Sequence, residues 1–77
     1  MMQGEVLAVD GHRVTVNLGS WDKLRPGDVM FVRRGRHHLG KFYVREVHER
    51  TTIGDCKMES IDSVPMPGDI VFGDAGE

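Results

Sequence analysis

Hydrophobic residues in this chain recur at every second position rather than at the three-and-four spacing of a helix, and glycine-rich turns separate the alternating segments. The clearest case is residues 13–18, RVTVNL, where valine and leucine fall on one face and polar residues on the other. This alternation is typical of a half-buried β-strand. The whole pattern predicts six strands, at residues 5–9, 13–18, 29–32, 41–47, 53–58 and 67–73.

Turn signals connect these strands. Asp10-Gly11 favours a tight hairpin because glycine accepts positive φ without a Cβ clash. Residues 33–40, RRGRHHLG, have the composition of an exposed hairpin tip. Between Val44 and Val47 the apolar residues change register, which predicts a bulge or a sharp bend in the fourth strand.

One turn phrase occurs twice, as RPGDVMFV at residues 25–32 and as MPGDIVFG at residues 66–73. Each copy fits a type II turn, in which proline sets the second position, glycine supplies positive φ at the third, and aspartate accepts a backbone hydrogen bond. The predicted turn residues are Pro26, Gly27, Asp28, Pro67, Gly68 and Asp69.

Two similar sets of three strands favour an all-β fold, a small closed or partly open six-stranded barrel, because closure removes exposed strand edges. The repeated phrase suggests a pseudo-twofold internal repeat, and the alternative is a chance recurrence of common turn chemistry. The interior is predicted to hold eight apolar residues, namely Val14, Val16, Leu18, Val29, Phe31, Val44, Ile70 and Phe72.

Length limits what the chain can do. Its 77 residues form one domain, residues 1–77, with frayed ends predicted at about residues 1–3 and 74–77. Apolar residues make up 39% and charged residues 29%, as in an ordinary soluble domain. No export signal or membrane-spanning run is evident, so we expect no membrane insertion. The expected location is cytoplasmic if the chain is complete and the cell envelope if it is an excised domain.

The sequence offers little catalytic chemistry. Its single cysteine, Cys56, excludes an intrachain disulfide and is interpreted as a small buried side chain. The four histidines lack the spacing of a zinc site, and no nucleophile elbow or phosphate-binding loop is present. We therefore expect no catalytic residue, metal or cofactor.

Charge is distributed unevenly along the chain. The formal net charge is −2, yet residues 33–50 carry six Lys and Arg against two Glu, and residues 51–77 carry one Lys against six acids. Such asymmetry favours contacts with an oppositely charged partner, including another copy. The predicted interaction residues around the basic hairpin are Arg33, Arg34, Arg36, His37, His38 and Tyr43. The alternative is that this hairpin is a solvated turn without a partner.

Trp21 lies in a polar loop, GSWDKL, with Leu24 three positions on. Two interpretations are open. The ring covers one end of the barrel as a lid, or it is an exposed anchor for a partner, since tryptophan is favoured at interfaces.

The order of these features resembles the C-terminal small barrel of flagellar assembly protein T and related short barrels of bacterial envelope proteins. The matching positions are Gly11, Val14, Val16, Asn17, Leu18, Gly19, Leu24, Gly27, Asp28, Val32, Gly40, Val44, Val47, Gly68, Asp69 and Val71. The resemblance spans about residues 4–73. The resemblance implies a non-enzymatic assembly module of a bacterial envelope or flagellar-type complex.

Two functions are thus expected. The first is a non-catalytic assembly module that binds a protein partner or another copy of itself. The alternative is a small barrel that binds nucleic acid through the basic hairpin at residues 33–45, where Tyr43 offers a stacking surface.

Overall fold

The computed structural model describes residues 2–73, which form six β-strands and one short 3-10 helix at Ser20–Asp22. The strands are β1 (Met2–Asp10), β2 (Arg13–Val16), β3 (Val29–Arg34), β4 (His37–Val47), β5 (Thr52–Met58) and β6 (Ile70–Gly73). Every paired strand is antiparallel, and the ring runs β1-β2-β5-β4-β3-β6 before returning to β1. The predicted all-β, six-stranded closed barrel is confirmed.

The interior of the barrel is filled with aliphatic side chains around Phe42 and Met30. Val14, Val16, Leu18 and Val44 are buried there, as the alternation predicts. The buried apolar set is Val6, Val14, Val16, Leu18, Leu24, Met30, Val32, Leu39, Phe42, Val44, Cys56 and Val71.

The predicted register of β3 and β6 is wrong by one residue. Met30, Val32 and Val71 point into the barrel, whereas Val29 and Phe31 lie outside with 42% and 40% of their surface exposed. The neighbouring β6 residues Ile70 and Phe72 are only half-buried. Both strands are apolar on both faces, so their periodicity cannot tell which face turns inward.

Both Pro-Gly-Asp turns have the predicted geometry. Gly27 has φ 96° and Gly68 has φ 95°, in the region that a type II turn requires of its third residue. The N–H of Asp28 donates to the Arg25 carbonyl at 3.1 Å, and the N–H of Asp69 donates to the Met66 carbonyl at 3.1 Å. The type II prediction is confirmed at both positions.

The predicted irregularity in β4 is confirmed by a register shift between Val44 and Glu46. A matching shift lies between Val6 and Ala8 in β1. Each bulge bends its strand, which allows a short six-stranded sheet to close.

Strand pairing relates the two halves of the barrel. Exchanging β1, β2 and β3 for β4, β5 and β6 leaves the set of paired strands unchanged. The registers agree as well: Val6 pairs with Val16 as Val44 pairs with Gly54. The exchange also places Phe31 and Phe72 in each other's position, and these two residues are register partners between β3 and β6. An internal repeat in the sequence itself stays a prediction.

Two smaller expectations differ from the structure. Met2 and Gln3, predicted to fray, belong to β1 and pair with β6, while residues 74–77 lie outside the described part of the chain. The hairpin tip is limited to Gly35 and Arg36, because the flanking residues extend β3 and β4.

Candidate interaction surface

The exteriors of β3 and β6 form a partly exposed apolar area, which we call the aromatic face. It consists of the exposed Val29 and Phe31 and the half-buried Ile70 and Phe72. Phe31 and Phe72 are register partners, and their ring centroids lie 5.8 Å apart at an interplanar angle of 38°. Antiparallel pairing therefore places both rings side by side on the outside of the barrel. Adjacent exposed apolar side chains of this kind mark interaction sites more often than isolated ones.

Arginine covers part of this face. The Arg33 guanidinium lies 5.7 Å from the centroid of the Phe72 ring, within the range of a cation–π contact. Its Nη1 also donates to the Gly35 carbonyl at 2.8 Å. Arg33, a predicted interaction residue, is thus placed at the border of the aromatic face and presents positive charge there.

Two lysines extend the positive charge along the sheet. Lys41 is the register partner of Phe31 on β4, and Lys57 on β5 is the register partner of Lys41. Both side chains are exposed, and no ion pair of either lysine is found among residues 2–73. Like charges directly opposite each other are unfavourable in a sheet. This pair would be neutralised by an anionic partner.

The guanidinium of Arg34, a predicted interaction residue, makes hydrogen bonds within the domain. Arg34 Nε donates to Asp69 Oδ1 at 2.8 Å, and Nη2 donates to Asp69 Oδ2 at 3.0 Å and to the Val64 carbonyl at 3.0 Å. The forked guanidinium matches a carboxylate in this bidentate arrangement. Arg34 thereby fastens the β5–β6 loop to β3.

The Asp69 carboxylate is the acceptor of that pair, with 2% of its side chain exposed. Burial alone would raise the pKa of Asp69, but hydrogen bonds from Arg34 and from the Met66 N–H outweigh burial and lower it. The same ion pair raises the pKa of Arg34. Asp69 therefore stays ionised as part of the scaffold.

The remaining predicted hairpin residues divide between the tip and the face. Arg36 and His37 are exposed beside the turn. His38 lies nearer the face, with its ring centroid 6.0 Å from that of Phe31 and Nε2 3.2 Å from Glu59 Oε1. Tyr43 is half-buried and pairs in register with Val29, so it borders the face on its β4 side.

Trp21 is not a lid over the barrel. Its side chain is 66% exposed, and the Arg50 guanidinium lies 4.4 Å from the ring centroid. The backbone N–H of Trp21 donates to the Glu49 carbonyl. The structure therefore places it beside the β4–β5 turn.

Sequence analysis missed a second exposed apolar segment, residues 59–66, which we call the acidic loop. Ile61 is 98% exposed, and Val64 and Met66 are also exposed. Glu59 and Asp62 are the charged residues of this loop. A signal was available, since apolar residues in a polar loop with no strand periodicity need not reach the core.

The buried cysteine is confirmed. Burial of Cys56 raises the pKa of its thiol to about 12, and the negative charges of Asp69 and Asp55 add to this effect. A thiol held neutral in this way is a poor nucleophile. Within residues 2–73, no three His, Cys, Asp or Glu side chains are arranged to hold a metal ion.

Comparisons of the chain with protein-family models, with curated proteins and with solved structures found no match. Among the described residues, no helix has the length and apolarity needed to cross a membrane.

Proposed function

We propose that this domain is a non-catalytic interaction module that binds a protein partner through the aromatic face. The observation that carries the proposal is the Phe31–Phe72 pair, one ring exposed and the other half-buried, on the outside of a barrel whose core is already filled. Neither ring is needed to complete the interior, so their position costs solubility without a gain in core packing. Aromatic side chains in this setting are favoured as binding hot spots.

Charge around the face indicates the chemistry of the partner. Arg33, Lys41 and Lys57 border the rings, whereas the nearby Arg34 is already neutralised by Asp69. A surface with an apolar centre and an acidic rim would complement this arrangement. Membership of a bacterial envelope or flagellar-type assembly remains part of the proposal, supported by the residue pattern alone.

Nucleic acid is the second candidate, since phenyl rings and lysines together can hold a single strand. Two observations favour protein instead. The Arg33 guanidinium already lies over the Phe72 ring, which leaves less ring surface for base stacking. The ring pair is also tilted and self-packed rather than spaced for successive bases.

Site-specific photocrosslinking in the native cell tests the proposal. A photoreactive phenylalanine analogue replaces Phe31 in one strain and Leu7 in another. Leu7 is a matched control because it is also an exposed apolar residue, yet it lies at the β1 bulge where β1 turns to pair with β2. We expect protein adducts at position 31 that are absent at position 7. Adducts with nucleic acid, or equal yields at both positions, would contradict the proposal.

A further inference from the structure

The aromatic face and the acidic loop have complementary chemistry. The face presents apolar rings with Arg33, Lys41 and Lys57 at its border. The loop presents apolar side chains with Glu59 and Asp62. An apolar surface with a positively charged border is complementary to an apolar surface with a negatively charged border.

Both surfaces lie on neighbouring parts of the molecule. Arg34 on β3 donates to the Val64 carbonyl of the loop, and His38 on β4 contacts Glu59. Because the aromatic face and the acidic loop adjoin each other, a twofold-symmetric dimer can form two equivalent contacts at once. In each contact, the aromatic face of one copy binds the acidic loop of the other.

The acidic loop is held in shape before any partner arrives. The N–H of Ser63 donates to the Ser60 carbonyl at 3.1 Å, and the N–H of Met66 donates to Asp69 Oδ2 at 2.8 Å. The Arg34 bond to Val64 ties its middle to the barrel. A preorganised loop loses little conformational freedom on binding. Most of the free energy gained by burying the exposed Ile61 therefore contributes to affinity.

Resting on the proposed function, we infer that the partner is a second copy of this chain, with the acidic loop of each copy seated on the aromatic face of the other. Ile61 of one copy then contacts Phe31 of the other, while Asp62 and Glu59 approach the lysine pair. Binding removes Ile61 from water and relieves the Lys41–Lys57 repulsion in one step.

Sedimentation equilibrium over a concentration series up to about 1 mM tests this inference, since the dissociation constants of weak homodimers lie within that range. We expect a monomer–dimer equilibrium that weakens as salt screens the charged border. Phe31→Asp and Ile61→Asp should each weaken dimerisation by about 30-fold or more for each of the two contacts, because a symmetric dimer of either variant loses one hot spot at both contacts. Leu7→Asp, a matched exposed substitution, should leave it unchanged, and circular dichroism verifies the fold of every variant.

Mixing the two variants distinguishes this arrangement from a simple face-to-face dimer. A mixed pair keeps one intact contact, between the face of the Ile61→Asp chain and the loop of the Phe31→Asp chain. The mixture should therefore dimerise more tightly than either variant alone. In a face-to-face dimer Ile61→Asp would have no effect and mixing would rescue nothing, and either result would overturn the inference.

The remaining outcomes separate this inference from the proposed function. A wild-type chain that stays monomeric throughout overturns the inference, while protein adducts at position 31 would still support the interaction module. Binding of mixed-sequence single-stranded DNA or RNA that Phe31→Asp abolishes would overturn both.

Discussion

The two Pro-Gly-Asp turns are the same locally and different in their surroundings. In each, glycine has φ near 95° and donates its N–H to a strand carbonyl, Gly27 to Val44 and Gly68 to Val6. Asp28, however, is partly exposed and accepts only the Arg25 N–H at 2.9 Å among residues 2–73. Asp69 is buried and binds Arg34. The comparison shows that one sequence phrase fixes a turn without fixing how much that turn contributes to stability.

The largest expected difference in stability between the two turns comes from replacing their aspartates, Asp69 and Asp28. Asp69→Ala leaves the Arg34 guanidinium and the Met66 N–H without their acceptor, and we expect a loss of about 2–3 kcal/mol, moderated because Arg34 is partly hydrated. Asp28→Ala removes one turn hydrogen bond and should cost about 0.5–1 kcal/mol. Urea unfolding measures both, and equal losses would remove the distinction between the turns.

Lowering the pH should remove the stabilisation that the Asp69 carboxylate gives to the second Pro-Gly-Asp turn. The pKa of Asp69 is lowered in the folded state, so its contribution is fully present above the unfolded pKa of about 3.9 and is lost as pH falls through the folded pKa. Thermal unfolding between pH 2 and 6 should show an acid limb that flattens in Asp69→Asn. An unchanged acid limb in that variant would show that Asp69 does not carry the pH dependence.

The turn glycines should respond equally. A Cβ added at Gly27 or at Gly68 meets nothing within 4 Å, so the cost of alanine comes only from positive φ. We expect Gly27→Ala and Gly68→Ala each to destabilise the domain by about 1 kcal/mol. A clearly larger loss at one position would mean that surroundings influence even this local preference.

The smallest expected effect on stability concerns two equivalent positions, one in β2 and one in β5. Strand pairing places Thr52 where Val14 stands in the other half, since Val47 pairs with Thr52 as Val9 pairs with Val14. The Thr52 hydroxyl is buried and has no hydrogen-bond partner among the described residues. Thr52→Val should therefore stabilise the domain by about 0.5–1 kcal/mol, while the reverse change, Val14→Thr, should destabilise it. Loss of stability in Thr52→Val would imply that the hydroxyl is satisfied.

The candidate surface was only partly predictable. Sequence analysis selected Arg33, His38 and Tyr43, which border the aromatic face, but it assigned Phe31 and Phe72 to the core. The error has a physical cause: residues 29–32 and 70–72 are apolar at consecutive positions, and such a run is equally compatible with either face turning inward.

Local chemistry determined from sequence alone the turns, the half-buried strand β2 and the bulge after Val44, because each depends on residues close together in the chain. The closed barrel was predicted on a different ground, because closure removes the exposed edges of six short strands. Tertiary structure alone decided which face of β3 turns inward and which cation meets Asp69. Arg34 lies 35 residues from Asp69, and only closure of the barrel brings them together. Closure likewise points Met30 inward and leaves Phe31 in water, because a strand in a closed sheet has one interior face, and neighbouring strands fix which face that is.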